Sequence, residues 1–99
     1  MAHARNLRPI EGARFLLERQ TDAANNATYL ASIFTPDAEF STTATLADDG
    51  TVAFAAPTGA PGDLDERLAN IAKLVARDAP KRRDDGLAVW PSRILRWRK

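Results

Sequence analysis

Ninety-nine residues, 44% hydrophobic and 27% charged, have the composition of one globular domain rather than of a disordered or fibrous chain. With no cysteine there are no disulfides, thiolate nucleophiles or thiolate-bound metals, and His3, the single histidine, cannot fill the usual zinc ligand sets, so no metal and no cofactor is expected. A formal net charge of +1 argues against the large basic field of a dedicated nucleic-acid binder.

Pro9 is placed to open a helix, because the missing N–H costs nothing in a first turn. Beyond it Leu16, Ala23, Ala27, Leu30 and Phe34 recur at helical spacing, so a first helix is predicted as far as Phe34. Gln20 and Asn25-Asn26 weaken its centre, and Pro36 ends it by moving Thr35 out of the α region.

Residues 38–56 read as a β-hairpin whose register follows from parity. A two-residue loop would split the apolar set between the faces. A three-residue loop, Asp48-Asp49-Gly50, pairs Leu46 with Val52 and Ala44 with Phe54, so that Phe40, Leu46, Val52 and Phe54 share one face. Aspartate early and glycine at the position of positive φ suit a type I turn followed by a left-handed residue. The outer face then carries Glu39, Ser41, Thr43, Thr45 and Thr51.

The loop over residues 57–62 lacks the Walker and dinucleotide patterns, and Asp63 would oppose a phosphate. Asp63 is instead expected to cap a second helix, with Glu66 as its capping-box partner. Leu64, Leu68, Ile71 and Val75 form one stripe, predicting a helix over residues 64–79 that Pro80 stops. Residues 81–85 read as a solvated connector ending in a turn at Gly86. The predicted core is Leu16, Ala27, Leu30, Phe34, Phe40, Leu46, Val52, Phe54, Leu68, Ile71, Val75, Leu87 and Val89.

The tail joins aromatic area to positive charge. Residues 87–90 read as a strand that Pro91 confines to an edge, and residues 93–97 as a further short strand or a helical turn. Trp90, Arg93, Arg96, Trp97 and Arg98 are the candidate contact residues, since tryptophan and arginine are enriched at interface hot spots. Packing of both tryptophans into or beside the core is the structural alternative. Four basic residues and no acid give residues 86–99 a charge of +4, whereas four acids and no base give residues 35–62 a charge of −4. These two segments are expected to lie side by side as cross-strand pairs.

The sum is an α+β fold in a single domain over residues 1–99, ordered α-β-β-α-β with room for one more strand. Its antiparallel sheet would have three or four strands, with two helices on one face. Asp48-Asp49, Asp63, Glu66 and Asp84-Asp85 all have structural explanations, so no enzyme is expected. The function expected is a protein-interaction or self-associating accessory domain, its partner a second copy in a homodimer or another protein. The alternative is nucleic-acid binding through the tail, with Trp97 stacking on a base. No long apolar run or leader follows Met1, so a cytoplasmic protein without membrane contact is expected.

Overall fold

The computed structural model describes residues 9–98, and its first elements overturn the helical reading that began at Pro9. Strands β1 (Ala13–Asp22) and β2 (Asn26–Phe34) form an antiparallel hairpin where that first helix was expected. Ala13, Phe15 and Leu17 alternate along β1, and Ala27, Tyr29, Ala31 and Ile33 along β2, all buried on one face. Phe15 pairs with Ile33, and Leu17 with Ala31. The register slips by one residue between Arg19 and Thr21, so a bulge at Gln20 carries β1 into the turn over residues 23–25. Pro36 sits in the next turn, where Thr35 accepts the Ala38 N–H on its hydroxyl at 3.1 Å.

The predicted second hairpin is present with the expected register. Strands β3 (Glu39–Ala47) and β4 (Val52–Phe54) pair Leu46 with Val52 and Ala44 with Phe54. Gly50 has φ +93°, the left-handed conformation that the turn needs, and Asp49 accepts the Thr51 N–H at 2.9 Å.

Helix α1 (Gly62–Asp84) starts two residues before the predicted position and runs five residues past Ala79. Pro61 occupies the N-cap without a side-chain cap bond, so Asp63 lies in the first turn rather than capping it. Pro80 does not stop the helix. Its ring faces solvent, and the last turn is held from outside: Arg82 Nε donates to the Ala88 carbonyl at 2.6 Å, and Arg83 donates to Ala24 O and Asp48. The stop comes at Gly86, φ +75°, where Leu87 N–H bonds Arg82 O and Gly86 N–H bonds Arg83 O in a Schellman closure.

Residues 87–92 are irregular rather than a strand, and β5 (Arg93–Arg98) completes the sheet. The five strands lie in the order β4-β3-β2-β1-β5, every neighbouring pair antiparallel. The α+β class and the antiparallel sheet stand; the two-helix, three- or four-strand count becomes one helix and five strands. Because β5 pairs with β1, the acidic hairpin and the basic tail occupy opposite edges instead of adjoining.

One face of the sheet receives α1 through Leu68, Ala72, Ala76 and Ala79, all at most 1% exposed. Small side chains at three of these four positions let the helix backbone approach the sheet. The predicted stripe residues Leu64, Ile71 and Val75 are only partly buried on the helix flanks, and Leu87 is exposed. On the second sheet face Leu16 and Phe34 are also buried, and Ser32 and Ser41 share a hydrogen bond at 3.0 Å.

Candidate interaction surface

The segment leading into β5 is fastened to the first hairpin by three successive carbonyls. Trp90 O accepts Arg19 Nη1 at 2.7 Å, Pro91 O accepts the Tyr29 hydroxyl at 2.6 Å, and Ser92 O accepts Arg19 N–H at 2.9 Å. Proline at 91 lacks an N–H to spend in a ladder, so the ordered strand begins only at Arg93. From there the register is unbroken from Glu18↔Arg93 to Ala13↔Arg98.

Burial pushes the Tyr29 phenol from 10.0 up to about 12, with the Arg19 and Arg82 charges opposing the shift. Below its unfolded value Tyr29 is neutral in both states, and the stability it lends is intact. As pH rises between the two values the unfolded phenol ionises first, so stability falls by up to about 1.4 kcal/mol per pH unit. Urea titrations at about pH 9 and about pH 11 should show this loss in the wild type and a smaller one in Tyr29→Phe. Equal losses in both proteins would refute the assignment.

Of the predicted contact residues, the structure separates Trp90 from the rest. Trp90 is 2% exposed and fills the core between the first hairpin and the end of α1, with its indole N–H buried and without a partner among the described residues. Arg93, Arg96, Trp97 and Arg98 are all exposed on β5. Alternation places Ile94, Arg96 and Arg98 on the helix side of the sheet, and Arg93, Leu95 and Trp97 on the other. Trp97 keeps 51% of its surface exposed while its indole N–H donates to Glu11 O at 3.3 Å. Arg96 donates to the adjacent Leu95 carbonyl at 2.9 Å.

A groove of about 560 Å³ runs between α1 and β5. Its helix wall is Arg67, Asn70, Ile71, Leu74, Val75 and Asp78, and its strand wall is Arg96, Trp97 and Arg98. The groove exists because the alanine stripe, not the Leu64-Ile71-Val75 stripe, is what seats the helix. Leu74 is 58% exposed at this rim.

Of the polar residues weighed for catalysis, Asp48 and Asp49 have local structural partners. Asp49 accepts the Thr51 hydroxyl at 2.6 Å, which together with the Thr51 N–H holds its carboxyl below the usual range. Asp48 pairs with Arg83 at 3.2 Å. A cleft of about 440 Å³ between β4 and α1 carries one titratable side chain, Asp65, which accepts from Thr58. Among the described residues no three His, Cys, Asp or Glu side chains converge as metal ligands. No described helix is long and apolar enough to cross a membrane. Compared with known proteins, the chain matches no family model, no curated protein and no solved structure significantly.

Proposed function

We propose that the protein is a non-catalytic interaction module whose working surface is the β5 edge with the groove beside it. The observation that carries this reading is the coincidence of three features at one place: a strand edge with no further strand beside it among the described residues, an apolar groove and exposed arginines. An edge strand offers a row of backbone donors and acceptors, the groove offers side-chain specificity, and arginine and tryptophan supply anchoring groups. Trp97 on the same face as Arg93 also favours a second reading, base stacking with phosphate contacts, which the near-zero net charge opposes.

The test pairs light scattering with an oligonucleotide shift assay, on the intact chain and on a Leu74→Asp/Trp97→Ala double variant. Both positions are exposed, so the variant should fold. A molar mass above the 10.8 kDa monomer that the variant returns to monomer is the result expected of self-association through this surface. A monomer that ignores mixed oligonucleotides at physiological salt directs the surface to another protein. Salt-sensitive oligonucleotide retention, abolished in the variant, would overturn the proposal in favour of nucleic acid.

A further inference from the structure

Resting on that reading, we infer that the surface takes an extended acidic segment of another protein, added outside β5 as a further strand with an apolar side chain in the groove. Strand β5 spends one side of its backbone on β1, over six consecutive pairs without a bulge or proline. Its other side faces away from the sheet, because β5 is last in the strand order. That is the geometry on which an extended peptide forms main-chain hydrogen bonds.

Alternation then sets what the peptide must carry. Side chains on its helix side fall beside Arg96 and Arg98 and under Ile71, Leu74 and Val75, so an apolar residue flanked by carboxylates meets complementary groups there. Side chains on its far side fall beside Arg93 and Trp97. Arg67 closes the groove from the helix with the same sign of charge, against one acid, Asp78, in the groove wall.

Charge also argues against a second copy as the occupant. A two-fold pairing of β5 with itself sets two strands of three arginines each against one another, and like charges opposed across a ladder are destabilising. The acidic hairpin of a second copy forms the opposite sheet edge, where β4 offers only three residues. The arginines that repel a copy of this edge select an acidic strand in its place.

Fluorescence anisotropy of the full chain tests this with a labelled probe, Thr-Glu-Thr-Phe-Thr-Glu-Thr, whose alternation sets Phe between two Glu on one face, beside a version carrying Lys for each Glu. A third version is N-methylated on alternate amides. The acidic probe should bind at least about tenfold more tightly than either other version. Arg96→Glu/Arg98→Glu and, separately, Leu74→Asp should each weaken it by about tenfold in proteins whose melting curves match the wild type. Equal binding of the acidic and lysine probes, or indifference to both variants, would overturn the inference. A dimer dissolved by Leu74→Asp, with no probe binding, overturns the acidic partner but leaves the interaction module standing. Oligonucleotide retention lost in the double arginine variant, with no probe binding, overturns both.

Discussion

Truncation after Pro91 is expected to leave a chain with no cooperative unfolding transition. The missing segment removes the whole pairing of β1 with β5, the Arg19 to Ser92 hydrogen bond and the buried Ile94. Burial of an isoleucine side chain is worth about 1.5–3 kcal/mol. Each lost ladder bond adds about 1 kcal/mol. Phe15 and Leu17, now internal to the sheet, would line a new edge beside an open backbone. Set against the roughly 5–15 kcal/mol that holds a domain of this kind together, the loss is disabling. Circular dichroism in a urea titration reads the result. A sharp transition near the intact midpoint would show that β5 is an appendage rather than a structural strand.

Trp90→Ala should cost about 3–5 kcal/mol, the usual range for emptying a buried aromatic site. Trp90→Phe should cost less, about 1–2 kcal/mol, because the smaller ring leaves only part of the site empty while the change removes a buried indole N–H with no acceptor among the described residues. Denaturant titration of the two variants separates packing from polarity at one position. A phenylalanine variant as damaged as the alanine one would mean that the space left by the second ring, or a bond made by the indole N–H, outweighs the packing the phenyl ring keeps.

Where turn chemistry and one-sided burial agreed, residue order alone was enough. Asp48-Asp49-Gly50 set the loop length, and threonines facing Phe40, Leu46 and Phe54 across the pleat made the parity readable. The first hairpin offered no such contrast. Leu16, Leu30 and Phe34 lie on the face opposite Phe15, Tyr29 and Ile33, so the centre of the sheet is apolar on both sides and the period of two vanishes. What remained was a run in which Ala23, Ala27 and Leu30 imitate a helical stripe. Pro80 misled for a different reason, since contacts distant in sequence, Arg83 to Ala24 and Asp48, hold a turn that local preference would have ended. The contact residues of β5 stood out by type, but the groove did not. Its other wall comes from exposed Leu74 and from Ile71 and Val75, which local periodicity assigns to the core and which the packing of Ala72 and Ala76 leaves half-buried at its flank.

The placement of β4 and β5 at opposite edges makes this molecule an electric dipole with almost no monopole. Four strand spacings of about 4.8 Å separate the two edge strands by roughly 19 Å. The acidic segment, residues 35–62, lies toward one end, and Arg93, Arg96 and Arg98 lie toward the other. Although the pI is 8.2, each end presents a local field of its own to any surface within a Debye length, about 10 Å at 0.1 M salt. At low ionic strength such a molecule adheres to cation and anion exchangers alike, turned end for end between them.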